Sequence, residues 1–139
     1  MIGNDLQTAL YQKLTNIPAL MALVVGIYDQ PPQEAQEDNP SAAVFPYVVI
    51  GDDHAQPWDT DTETGFDVTL TIHVWTRYAG RVLNKKIQNH IYNALHRQTL
   101  SVPGYKTLPP KFLGSDVFLD ADGLSQHGVM TFQFLADTI

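Results

Sequence analysis

Residues 45–77 read FPYVVIGDDHAQPWDTDTETGFDVTLTIHVWTR, and this stretch decides the architecture. In its second half Phe66, Val68, Leu70, Ile72 and Val74 take every other position, with Asp67, Thr69, Thr71, His73 and Trp75 between them. A period of two over ten residues predicts a long strand with one buried face. Tyr47–Ile50 is a second apolar run, so the two together predict a β-hairpin. The segment between them, Asp52–Thr64, then reads as a long loop carrying five carboxylates: Asp52, Asp53, Asp59, Asp61 and Glu63.

Outward toward the N-terminus, Asn4 or Asp5 can cap a helix whose apolar stripe is Leu6, Leu10 and Leu14, extended by Ala9 and Ile17. Pro18 should end it, because the residue before a proline disfavours helical backbone. Ala19–Val25 shows no clear period, and Gly26–Tyr28 predicts a short edge strand. Gln30–Ser41, with Pro31, Pro32 and Pro40 among Gln and Glu, predicts an exposed, mobile loop. Outward toward the C-terminus, a helix is expected from Gly80 to about Gln98 on the stripe Leu83, Ile87, Ile91, Ala94 and Leu95. Tyr105–Leu119 is extended but interrupted by Pro109-Pro110, so it should bend or lie at an edge. Asp120–Gly123 makes a turn. Gln126–Ala136 is a last strand, with Gly128, Met130, Phe132 and Phe134 on one face. The expectation is a single α+β domain over residues 1–139, in the order α-β-β-α-β-β. It has one antiparallel sheet of about four strands, two helices on one face, and a long hairpin loop. Trp75 is expected to pack under a helix, and Phe132 and Phe134 in the core.

A length of 139 residues suits one domain, and 44% hydrophobic with 17% charged residues suits a folded globular chain. There is no cysteine, which excludes disulfides, thiolate catalysis and Cys-ligated zinc. No apolar run approaches a membrane span, and the first residues lack the basic start of a signal peptide, so a soluble protein made in a cytoplasm is expected. The net charge of −7 conceals a segregation. Between positions 77 and 97 stand Arg77, Arg81, Lys85, Lys86 and Arg97 with no acid, while the remainder of the chain is strongly acidic.

Tests for chemistry fail. No zincin, nucleophile-elbow, phosphate-loop or dinucleotide motif is present. His90 and His96 fall on opposite sides of their helix. His73 alternates to the less apolar strand face, and His54 and His127 sit in or beside turns, so each reads as solvated or locally hydrogen-bonded. A calcium loop counted from Asp59 would need glycine where Thr64 stands and a bidentate acid where Leu70 stands; counted from Asp120 it ends on Thr131. No metal, no cofactor and no enzymatic activity are expected. The basic helix lacks a helix-turn-helix partner and an aromatic platform, so it is read as a solvated face or as a contact for an acidic surface. The acidic loop of a second copy would fit. Such a contact joins two different patches, and contacts of that kind can close into rings.

Several segments, in order, carry a resemblance: Asp5–Leu14 (DLQTALYQKL), Ile27–Pro32 (IYDQPP), Phe45–Gly51 (FPYVVIG), Trp58–Thr60, Val68–Arg77 (VTLTIHVWTR) and Asp120–Phe132 (DADGLSQHGVMTF). Together they resemble the tail completion, or tail terminator, proteins of long-tailed bacteriophages and gene transfer agents. The resemblance implies a structural virion protein that forms a ring, expected to be a hexamer, at the head-proximal end of the tail tube. The ring would end tube polymerisation and offer the surface on which the DNA-filled head docks, after synthesis from a phage or prophage genome in the host cytoplasm. Its implied partners are the major tail tube protein and the head-completion protein, with DNA passing through unbound. The expected interaction residues are Asp52, Asp53, Trp58, Asp59, Asp61 and Glu63 on the loop, and Arg77, Arg81, Lys85 and Lys86 opposite them. Trp58 either anchors this contact or folds back on its own sheet. The alternatives are a head-completion or connector protein of the neck and a small ligand-binding regulatory domain.

Overall fold

The alternation at positions 66–74 builds the strand through the middle of the molecule. A computed structural model describes residues 1–32, 44–77 and 80–139. In chain order its elements are α1 (Gly3–Thr15), α2 (Pro18–Met21), β1 (Gly26–Tyr28), β2 (Tyr47–Pro57), β3 (Gly65–Thr76), α3 (Val82–Leu95), β4 (Tyr105–Thr107), β5 (Lys111–Leu119) and β6 (Gln126–Thr138). The sheet runs β1-β2-β3-β6, and the far edge of β6 is shared by β5 and β4.

This corrects the expected four-stranded antiparallel sheet with two helices. Among the described residues, six strands form one mixed sheet curled into a half-barrel, with three helices. The difference has three local causes. Gly26–Tyr28 pairs parallel to β2, as Gly26↔Tyr47 through Tyr28↔Val49, and periodicity reveals a strand without revealing the direction of its partner. Pro109-Pro110 cuts the extended C-terminal stretch instead of bending it, so β4 and β5 pair separately with β6. Pro18 both ends α1 and occupies the first turn of α2, where its missing N–H costs nothing. At the N-terminus, α1 starts at Gly3 with no side-chain cap, so neither Asn4 nor Asp5 caps it. The loop expected at Gln30–Ser41 falls largely outside the described residues.

The expected core forms. Val68, Leu70, Ile72 and Val74 of β3, Val48 and Ile50 of β2, and Met130, Phe132, Phe134 and Ala136 of β6 are buried against Leu6, Leu10, Leu14, Leu20, Ile87, Ile91 and Leu95 from the three helices. Each large aliphatic side chain removed from water there contributes about 1.5–3 kcal/mol. Polar side chains sit inside as well: Thr76, Asn84, Gln88, Ser125 and Gln126. Asn84 of α3 is fully buried, and its amide donates to the carbonyl of Val74 (3.0 Å) while its oxygen accepts from Gln88 Nε2 (2.9 Å). Gly128 of β6 lies directly beneath, where a Cβ would stand 2.2 Å from Asn84 Oδ1 and 2.5 Å from Gln88 Nε2. Glycine at this position lets α3 settle onto the sheet.

Candidate functional site

The hairpin of β2 and β3 is longer than the sequence suggests, and its loop is shorter. Pairing continues from Tyr47↔Trp75 to Pro57↔Phe66, so the tip is only Trp58–Thr64, and Asp52 and Asp53 belong to β2. The acidic Asp52–Thr64 loop is corrected accordingly. The tip is shaped by its own bonds. Trp58 N–H donates to Gly65 O (2.9 Å), Thr60 N–H to Glu63 O (2.9 Å), Glu63 N–H to Thr60 Oγ1 (3.0 Å) and Gly65 N–H to Asp59 Oδ1 (3.0 Å). At the root of the tip, a Cβ on Gly65 would lie 2.6 Å from Trp58 O and 2.8 Å from Asp137 Oδ1, so only glycine lets the chains close. Asp61 and Glu63 are exposed and make no ion pair among the described residues. Trp58 is 39% exposed, large and apolar at the end of the molecule.

The basic residues divide. Arg77 is held within the chain: its guanidinium lies 4.5 Å over the Phe45 ring, Nε donates to Ser125 Oγ (3.1 Å), and Nη2 is 3.6 Å from Asp122 Oδ2. Burial would raise the Asp122 carboxyl, but N–H groups of Ser125 and Leu124, the Ser125 hydroxyl and Arg77 outweigh it and hold the carboxyl below its usual range. Arg81, Lys85 and Lys86, at the start of α3, are exposed. The Asn84 bond to Val74 O pins this start to the far end of β3 from the tip. Val74 stands nine positions along β3 from Gly65, a span of roughly 30 Å along a strand. Acidic tip and basic helix start therefore stand at opposite ends of the sheet and cannot meet within one chain.

Beside the basic turn, α3 and the edge strand β5 leave a groove of about 380 Å³, with Lys85 and Tyr92 on one wall, Phe112 and Asp116 on the other, and Met130 among its lining residues. Among the described residues, strand β5 pairs with β6 on one side only. Leu113, Phe118 and Leu119 along it are exposed.

The sheet face away from the helices carries a cluster that sequence reasoning missed. His73 Nδ1 lies 2.8 Å from His127 Nε2, and His73 Nε2 lies 2.7 Å from Asp52 Oδ2. With Asp52 ionised, His73 Nε2–H donates to it, leaving Nδ1 to accept from His127 Nε2–H. Asp52 reaches this position through a β-bulge between Gly51 and Asp53, where its own φ is +57°. The His127 ring lies 3.9 Å from Trp75 at 11° and 5.0 Å from Phe118. Trp75 stacks in turn toward Tyr47 at 6.4 Å. So His127, the second residue of β6, and His73 both have partners, and Trp75 faces away from the helices rather than under one. The missing signal was register: β3 and β6 pair Trp75↔His127 and His73↔Val129. The parity of β6, counted from Met130, already placed His127 on the outer face. Burial, then the neighbouring His73, lowers the basicity of His127, and burial pushes the Tyr47 hydroxyl up to about 12. Among the described residues, no three His, Asp or Glu side chains converge to hold a metal ion.

Comparison with known proteins fits a surface built for contact. The tail completion protein gp17 of Bacillus phage SPP1 is 30% identical over 134 residues, covering 96% of this chain and 93% of that one. The solved structure of bacteriophage SPP1 gp17 aligns over 98% of this chain and 89% of its own, at 28% identity and a TM-score of 0.62. A chain from the virion of a native gene transfer agent particle shares the fold, with a TM-score of 0.83 at 23% identity over 95% of this chain and 94% of that one. The phage relative is a tail completion protein, a structural component and not an enzyme. The family model for tail completion protein gp17 matches residues 8–137, and this chain belongs to that family of phage tail structural proteins.

Proposed function

We propose that the chain forms a ring, a hexamer, at the head-proximal end of the phage tail tube, where it ends polymerisation and presents the surface on which the head docks. The observation that carries this reading is the separation of charge along β3. An acidic, self-shaped tip (Asp59, Asp61, Glu63) and a basic helix start (Arg81, Lys85, Lys86) stand roughly 30 Å apart, at the two ends of one strand. They cannot pair within one copy but can pair between copies, head to tail, and head-to-tail contacts close into rings when the rotation permits. Asp52 and Asp53 add negative charge along β2, and Trp58 supplies the apolar anchor of the contact. The ring meets the major tail tube protein on one side and the head-completion protein on the other. Assembly takes place in the host cytoplasm. The chain's net charge of −7 suits a channel that passes DNA without holding it.

The test is electron microscopy of the protein mixed with tail tubes. Caps of defined copy number at one end of the tube, and a halt to elongation, are expected. Tubes unchanged in length and in both ends would refute the role.

A further inference from the structure

We infer that the groove between α3 and β5 is the receptor for the hairpin tip of a neighbouring copy, with Trp58 as the inserted group. This rests on the ring reading above and names the site through which it would act. The groove is the concave surface next to the basic turn, and its lining matches the tip in both halves. Tyr92, Phe112 and Met130 supply apolar surface in a space of about 380 Å³, sufficient to admit an indole. Lys85 stands on its rim, with Arg81 and Lys86 on the same helix start, against Asp116 as the acid of the lining. The tip brings the complement: one exposed tryptophan followed within five positions by Asp59, Asp61 and Glu63.

Preorganisation favours this pairing over an unstructured occupant. The tip already closes four hydrogen bonds of its own, so little conformational entropy is lost when it docks. The groove wall is likewise held, since Gln88 Nε2 donates both to Asn84 Oδ1 (2.9 Å) and toward Asp116 O (3.4 Å). An aromatic anchor in a pocket ringed by opposite charge is the pattern in which a few residues carry most of the affinity.

The absence of native cysteine makes the test direct. Asp61→Cys and Asn89→Cys, both at exposed positions, are introduced singly and together in the full chain. Oxidation is followed on denaturing gels, with the chain alone and with it bound to tail tubes. A ladder of covalent oligomers from the double variant, absent from either single variant, is expected. Trp58→Ala should weaken association about 30-fold, and Lys85→Glu about fivefold, restored by adding Asp61→Lys. Oligomers that form without cross-linking and ignore Trp58→Ala would overturn the groove assignment while leaving the ring standing. A chain that is monomeric at every concentration and leaves tail tubes uncapped would overturn both.

Discussion

Gly128→Ala offers the sharpest check on how the helix layer meets the sheet. In an ordinary strand position this change removes unfolded-state freedom and stabilises by about 0.4–1 kcal/mol. Here the added methyl would lie 2.2 Å from Asn84 Oδ1 and 2.5 Å from Gln88 Nε2, and neither is the end of a free side chain. Asn84 is fully buried and donates to Val74 O at 3.0 Å, so moving it breaks a buried hydrogen bond and lifts the start of α3. Overpacking of this kind costs about 1–3 kcal/mol, and a displaced buried polar group adds about 1–3 kcal/mol. A net destabilisation of about 3 kcal/mol follows, opposite in sign to the unconstrained case. Urea unfolding should show a lower midpoint with an unchanged slope. A double-mutant cycle with Asn84→Ala sharpens the test. The smaller side chain vacates the space the methyl needs, so the double variant should be more stable than the sum of the single losses predicts. A Gly128→Ala protein as stable as the parent, or more stable, would refute the proposed contact.

Other outcomes follow from the same geometry. The lowered basicity of His127 means the unfolded chain binds more protons just below the ordinary histidine value of 6.5, so stability present above that pH is lost as pH falls through 6.5 toward the folded value. Comparing urea midpoints at about pH 7.5 and about pH 5.5, the parent should lose stability and His127→Phe should lose less; equal losses would remove His127 from the cause. Arg77→Ala should cost about 1–2 kcal/mol through its contacts with Phe45 and Ser125, read as a fall in melting temperature, while Arg81, Lys85 and Lys86 remain available for association. Reversing charge at both Lys85 and Lys86 should weaken association most at low salt, because exposed charges are screened beyond roughly 10 Å at ~0.1 M. Sedimentation across a salt series would expose a contact that does not depend on them.

Much of the candidate surface was legible in one dimension. The segregation of Arg81, Lys85 and Lys86 from Asp59, Asp61 and Glu63 needed only counting, and so did the lack of cysteine and of calcium-loop spacing. The length of the acidic loop was not legible, because Asp52–Pro57 pairs with β3 through a bulge that breaks simple alternation. The histidine cluster was hidden for a related reason. His73 and His127 are 54 residues apart in the chain, and only the β3–β6 register makes them neighbours.

The sequence by itself determined the core and the elements that supply it. Alternation in β3 and β6, and the stripes of α1 and α3, follow from the periods of strand and helix, which are local properties of the backbone. Only the tertiary structure decided the parallel pairing of β1, the splitting of β4 from β5 and the use of Arg77 within its own chain. It alone also placed the acidic tip and the basic turn at opposite ends of one strand. Those depend on which elements come together in space, and pairing partners are chosen by packing across the whole molecule rather than by any residue's neighbours in the chain.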